Sequence, residues 1–222
     1  MSAATLTEAP AKEPTATPMP TPSPVDAPDP ADRLFRISLG LYNRMIELGM
    51  LGPSDPIELL DGLLVKKMPK GPRHVRATRR TYNSLMVRET ENWHPRFEAP
   101  VELPQGPDGD SSPEPDVVVV RGDDGLYSLR HPGPADIILA IEIADSSVAA
   151  DRKALRRFGW AGIPTVWIVN LRNSTVEVYT GPSGPGEDPG YAEKATRGPD
   201  DTVEFRLDDG SLIGFRVAEF FA

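Results

Sequence analysis

Two apolar segments that each carry one acid constrain the fold of this chain more than any other feature. Residues 113–120 read PEPDVVVV, which places Asp116 directly before four valines, and residues 136–147 read DIILAIEIADSS, which places Glu142 inside an apolar run. Both runs have the length and the β-branched content of buried strands. A carboxylate among apolar side chains is costly unless a partner, a proton or a metal compensates it.

Glu142 and Asp116 favour a metal site more strongly together than either does alone. A single strand glutamate is usually paired with an arginine, and an aspartate after a proline is often a turn residue. Both acids lie near strand ends, however, so pairing of the strands would bring them to one edge of a sheet. Mg²⁺ or Mn²⁺ would then relieve their repulsion. Period-two alternation assigns the residues of the second segment to two faces: Ile137, Leu139, Ile141 and Ile143 on one, and Ile138, Ala140, Glu142 and Ala144 on the other.

The remaining elements predict an α/β or α+β fold around one mixed sheet. Residues 57–68, IELLDGLLVKKM, predict a hairpin that turns at Asp61-Gly62. Helices are expected over residues 37–50, 73–92 and 149–160, and a short one over 215–221. Strands are expected over residues 96–103, 165–170 and 175–180, with weaker strands near Ala192 and Val203.

Composition separates a tail from a domain. Residues 1–32 are rich in Pro, Ala and Thr and have few large apolar side chains, which predicts a disordered tail before a domain over residues 33–222. The chain has no cysteine, so disulfides and thiolate metal sites are excluded and a cytoplasmic location is expected. No apolar run reaches the length of a membrane-spanning helix and no secretory signal is evident, so no membrane contact is expected.

Charge is unevenly distributed along the chain. The formal net charge of −9 argues against a non-specific coat for nucleic acid. Residues 66–80 nevertheless carry seven Lys and Arg side chains and His74, and contain no acid. Such a run is usually a solvated face, and the alternative is a surface that holds a phosphate backbone.

Several motifs in order resemble the Uma-two family of restriction endonucleases, within the PD-(D/E)XK nuclease superfamily. The resembling stretches run from about Arg36 to Ala222 and are IELLDGLLVKKM, GPRH, PEPDVVVVRG, HPGPADIILAIEIADSS, AGIPTVWIVNLRNSTVEVY and VAEFF. The resemblance implies a restriction-endonuclease-like core, a mixed sheet flanked by helices. It also implies metal-dependent cleavage of phosphodiester bonds in DNA, with Mg²⁺ or Mn²⁺ as cofactor.

The resemblance implies roles for individual residues. Asp116 and Glu142 are expected to hold the metal, Glu58 to help complete the site, and Lys153 to position the attacking water. His74 matches a histidine often seen after the hairpin, where catalysis, helix entry and phosphate contact are all open. The residues expected to contact nucleic acid are Lys67, Lys70, Arg73, His74 and Arg76.

The position of the catalytic lysine departs from the family pattern. Relatives tend to place it four residues after the aspartate that matches Asp151 and four before the aromatic that matches Phe158. Those positions here are Leu155 and Ala154, so Lys153 fits neither count. One residue along a helix rotates a side chain by about 100°, which would weaken or abolish catalysis unless the lysine still reaches the site.

Three functions remain open from the sequence. The leading one is a Mg²⁺-dependent DNA endonuclease, which by analogy with this fold would act as a homodimer. The second is a catalytically weakened or inactive module of the same fold that binds nucleic acid or a protein partner. The third is a metal-dependent hydrolase of a smaller phosphate ester.

Overall fold

The computed structural model of the chain describes residues 34–145 and 148–221, with the side chains of residues 148–153 outside that description. The chain divides into one unit over residues 1–34 and a second over residues 35–222. The predicted tail of residues 1–32 lies outside the described residues. Within the described part, no helix has both the length and the apolar character needed to cross a membrane.

The described residues form helices and strands in an alternating order. The α-helices are α1 (Leu39–Glu47), α2 (Pro72–Met86) and α3 (Val148–Trp160). The strands are β1 (Ile57–Leu60), β2 (Leu63–Lys66), β3 (Trp93–Phe97), β4 (Val117–Arg121), β5 (Ile137–Ala144), β6 (Thr165–Asn170), β7 (Thr175–Pro182), β8 (Tyr191–Arg197), β9 (Thr202–Arg206) and β10 (Leu212–Arg216). Short 3₁₀ helices span Asp124–Tyr127, Pro134–Asp136 and Val217–Phe220.

A mixed sheet forms the centre of the described unit, as predicted. It has six strands in the order β3-β4-β5-β6-β7-β8 within the described residues. Strands β5 and β6 pair in parallel, and the other neighbours pair antiparallel. The parallel pair requires a crossover, and α3 supplies it. Two separate hairpins, β1–β2 and β9–β10, complete the strands of this part of the chain.

Helices cover both faces of the sheet. Val117, Val119 and Ile141 pack with residues of α2 on one face. On the other face, Val118 and Ala140 pack with residues of α3. The expected alternation of β5 holds from Leu139 onward but fails before it, because a shift in register at Val119/Val120 interrupts the β4–β5 pairing. Ile137 therefore packs on the α3 face and Ile138 on the α2 face, the reverse of the prediction.

The β1–β2 hairpin turns at the predicted dipeptide. Asp61 and Gly62 have φ values of 53° and 77°, as a two-residue turn of this kind requires. A Cβ atom at Gly62 would lie 2.6 Å from Cβ of Arg36, so both the backbone conformation and the close approach favour glycine. The turn fixes Glu58 opposite Val65.

Several element bounds differ from the prediction. Helix α1 spans Leu39–Glu47 and not residues 37–50, α2 ends at Met86 and not at residue 92, and the strand expected at residues 96–103 is β3, at Trp93–Phe97. The helix expected over residues 215–221 is the 3₁₀ helix Val217–Phe220, because residues 215 and 216 belong to β10. Strand β10 was not predicted. It closes a hairpin with β9 whose Phe205 and Phe215 join the core on the α2 side.

Candidate active site

Pairing of β4 with β5 brings the two predicted metal ligands together. The pairing reaches Val117 opposite Ile141, so Asp116, the residue before β4, and Glu142, the next residue of β5, adjoin the same end of the paired strands. Ala140 and Ala144 pack on the α3 side, and Glu142 between them lies on that side as well. Asp116 contacts His74 of α2.

A cleft of about 520 Å³ opens beside these acids. Asp116 and Glu142 line it with Glu58, which β1 contributes, while Ala154 and Arg157 line it from α3. The Asp116 side chain is only 6% exposed, whereas Glu58 and Glu142 are half-buried. With Glu114 and Asp145, five acids from separate parts of the sequence therefore share one cavity.

Asp116 accepts hydrogen bonds from three donors. Its Oδ1 accepts from Lys70 Nζ at 2.7 Å, and its Oδ2 accepts from the backbone N–H of Ile143 at 2.7 Å. His74 Nε2 lies 3.1 Å from the same Oδ2. Burial alone would raise the pKa of Asp116, but the His74 hydrogen bond and the Lys70 charge outweigh it and hold the pKa below its ordinary value. Asp116 is therefore an anion at neutral pH.

Lys70 lies in the segment between β2 and α2 and binds two acids. Its Nζ donates to Glu98 Oε1 at 3.0 Å as well as to Asp116. Partial burial acts to lower the pKa of Lys70, but the charge of Asp116 and the hydrogen bonds to both acids raise it above its ordinary value. Lys70 is thus a cation at neutral pH in the wall of the cleft.

The other residues predicted to contact nucleic acid fall into two groups. Lys67 is ion-paired with Glu114, Arg73 lies 3.4 Å from Asp145, and His74 contacts Asp116. These side chains balance acids of the cleft. Arg76 instead lines an adjoining groove of about 920 Å³. The same groove is also lined by Arg79 and Arg80. Both belong to the basic run but were not among the residues predicted to contact nucleic acid.

Glu58 lies in the cleft under different electrostatic conditions. The backbone N–H of Glu114 donates to its Oε2 at 3.4 Å, a long hydrogen bond. Burial raises the pKa of Glu58, and the nearby charges of Lys67 and Arg157 compensate only in part. Its ionised form is therefore the one that this environment disfavours.

Helix α3 presents the residue after the predicted lysine to the cleft. Ala154 lines the cavity, and Arg157 lines it one turn later. Arg157 Nη1 lies 3.0 Å from Asp61 Oδ2 in the hairpin turn. The backbone of Lys153 belongs to α3, but its side chain lies outside the described residues, so the predicted contact with water stays a prediction.

The residues of the cleft suit a hard cation in their chemistry. Glu58, Asp116 and Glu142 all offer carboxylate oxygens, the ligands that Mg²⁺ prefers. In the conformation described, Lys70 and the other donors contact both oxygens of Asp116. Across residues 34–145 and 148–221, no group of three or more acidic or histidine side chains is arranged to hold an ion. A metal at Asp116 would compete with the contacts of its two oxygens.

Comparison with known proteins agrees with this fold. The model of the Uma2 family, described as "Putative restriction endonuclease", matches residues 41–208. A solved structure from Anabaena variabilis ATCC 29413, titled as a putative nuclease belonging to DUF820, aligns with a TM-score of 0.57 at 18% sequence identity. The alignment covers 79% of this chain and 95% of that one. No curated protein matches the chain.

Proposed function

Because the chain belongs to the Uma2 family, we propose that it is a metal-dependent endonuclease that hydrolyses phosphodiester bonds of DNA. The observation that carries the proposal is that Asp116, just before β4, and Glu142, in the neighbouring strand β5, line one cleft. The family description and the fold of the solved neighbour both support a nuclease.

Asp116 and Glu142 would hold Mg²⁺ or Mn²⁺, with Glu58 in support. When bound, the ion would supply a Lewis acid for the scissile phosphate and lower the pKa of a bound water. Lys153 is proposed to orient the attacking water. A chain without cysteine is compatible with the reducing cytoplasm, where we place the reaction.

The groove along α2 is the proposed track for the phosphate backbone. Arg76 and Arg79 are exposed there and Arg80 is half-buried, and guanidinium groups bind phosphate through paired hydrogen bonds. Lys70 lines both the groove and the cleft. A DNA strand that follows α2 would therefore pass directly from the arginines of the groove to the acids of the cleft. Lys67, Arg73 and His74 would contribute once the substrate competes with their acidic partners.

Cleavage of supercoiled plasmid with Mg²⁺ or Mn²⁺ tests the proposal. Wild type should nick or linearise the plasmid, and Asp116→Asn and Glu142→Gln should abolish cleavage while remaining folded by circular dichroism. EDTA should stop the wild-type reaction. Cleavage that persists in both variants would show that the β4–β5 acids are not the active site.

A binding experiment tests the phosphate track separately. Arg76→Gln combined with Arg79→Gln should weaken binding of uncleaved DNA and make the slope of log K against log salt shallower by about 2, since each lost phosphate contact contributes about 0.9. Arg130→Gln is the control, because Arg130 pairs with Asp136 just before the start of β5, at the opposite end of the strand from Glu142. An equal effect in the control would argue against the groove.

One observation favours an inactive module of the same fold as a second candidate. At the α3 position four residues before Phe158, where the family pattern places the lysine, the cleft is lined by Ala154, whose methyl group can neither orient water nor stabilise charge. An inactive module predicts wild-type DNA binding through α2 with no cleavage under any divalent ion. The plasmid assay and the binding experiment together separate the two candidates.

A further inference from the structure

The two oxygens of Asp116 have different partners: one contacts the backbone of β5 and His74, and the other contacts the side chain of Lys70. Oδ2 accepts from the backbone N–H of Ile143 and lies beside His74 Nε2, which anchors it to β5 and α2. Oδ1 instead faces the ammonium of Lys70 at 2.7 Å. A cation that binds Asp116 and leaves the two contacts of Oδ2 in place would approach Oδ1, where it competes with the ammonium of Lys70.

We propose that Lys70 is a built-in counter-ion of Asp116, and that a divalent ion enters the cleft by displacing its ammonium from Oδ1. The inference rests on the proposed function, because it concerns the same metal site, and it adds a control of metal loading. In the metal-free protein Lys70 neutralises an acid whose side chain is 6% exposed. In the loaded protein the ion takes over that role.

The surroundings of Lys70 allow this exchange without movement of the main elements. Its side chain is 34% exposed, and it lines the groove along α2 as well as the cleft. Glu98 Oε1, 3.0 Å from Nζ, offers a second acceptor that can retain the ammonium after it leaves Asp116. Rotation of the flexible Lys70 side chain toward Glu98 therefore suffices for the exchange.

Titration of Mn²⁺ into the full-length protein by calorimetry tests the exchange. Lys70→Met removes the competing cation and should tighten Mn²⁺ binding about 10- to 100-fold, the ratio expected for loss of a charge-assisted contact. Lys70→Arg keeps a cation and should bind close to wild type. Lys66→Met is the matched control, because Lys66 is exposed and lines the same cleft. Its Mn²⁺ affinity measures the effect of removing one positive charge from the cleft without removing the contact with Asp116.

A second measurement uses the wild-type protein, so its result does not depend on whether a substituted protein folds. Lys70 should react faster with an amine-acylating reagent when Mn²⁺ is saturating, as followed by peptide mass spectrometry, while the reactivity of Lys66 stays constant. Equal Mn²⁺ affinity of wild type and Lys70→Met, or unchanged Lys70 reactivity at saturating Mn²⁺, would overturn the exchange and leave the nuclease proposal standing. If Asp116→Asn binds Mn²⁺ as tightly as wild type, or if no variant binds Mn²⁺, Asp116 is not a metal ligand. Both the proposed metal site and the exchange would then be refuted.

Discussion

Replacement of Asp116 by alanine should destabilise the fold as well as remove a metal ligand. Asp116 is 4% exposed, and its loss leaves the buried N–H of Ile143 without its acceptor, a defect that costs about 1 to 3 kcal/mol. Lys70 and His74 also lose a partner, but Lys70 is one-third exposed and can turn to water, so these two add only about 1 kcal/mol. The expected decrease in the free energy of unfolding is about 2 to 4 kcal/mol.

Urea denaturation of wild type, Asp116→Ala and Asp116→Asn near neutral pH measures this effect. Asparagine keeps an oxygen that can accept from Ile143, so its loss should be smaller, about 1 to 2 kcal/mol. Asp116→Asn is therefore the appropriate variant for activity, since it separates chemistry from stability. An alanine variant within about 0.5 kcal/mol of wild type, with an unchanged dependence on urea, would refute the reasoning that Asp116 is a buried acceptor for Ile143.

The same contacts determine how the stability difference between wild type and Asp116→Asn depends on pH. The pKa of Asp116 in the folded protein lies below its ordinary value of 3.8, so the folded state favours the carboxylate. The stability gained from that carboxylate is complete above pH 3.8 and decreases as the pH falls through the lower folded-state pKa. The advantage of wild type over Asp116→Asn should therefore be constant from neutral pH to about pH 4 and shrink below it.

Two further variants test other parts of the structure. Glu58→Gln should raise the thermal midpoint near pH 7, because burial raises the pKa of Glu58 and its ionisation opposes folding. The gain should vanish below the ordinary value of 4.5, and a midpoint lower than that of wild type at pH 7 would contradict it. Gly159→Ala should destabilise by about 1 to 2 kcal/mol in urea, because its Cβ would lie 2.5 Å from the backbone oxygen of Gly190 and this strain exceeds the helix-propensity gain of about 0.5 to 1 kcal/mol. Gly186→Ala, with nothing within 4 Å of its Cβ, is the control and should stay near wild type.

Local patterns were sufficient where a few adjacent residues determine the structure. The Asp61-Gly62 turn follows from residues that tolerate positive φ. The valines after Asp116 predict β4 because they are buried on both faces of the sheet. The mixed sheet followed from the order of such segments, and it is the architecture described.

Prediction of strand bounds and faces failed where they depend on pairing between strands of the sheet. Pro95 inside WHPRF argues against a strand, yet β3 is an edge of the six-stranded sheet, where a residue without an N–H is tolerated. The irregularity that exchanges the faces of Ile137 and Ile138 depends on pairing with β4, which alternation in β5 alone does not reveal. The contacts of Lys70 are likewise tertiary, since Asp116 and Glu98 are both distant from it in the sequence.

Among the described side chains, positive charge reaches Asp116 from the segment that leads into α2. Helix α3 offers Ala154 to the cavity and, one turn later, Arg157, whose guanidinium contacts Asp61 in the hairpin turn. The lysine that contacts Asp116 directly among the described side chains is Lys70, which lies between β2 and α2. A basic run that the sequence assigns to substrate binding thus also provides the counter-charges of the acidic cleft. This dual use explains how a chain with net charge −9 keeps several carboxylates together in one cavity, and it makes entry of a metal depend on whether those counter-charges can be released.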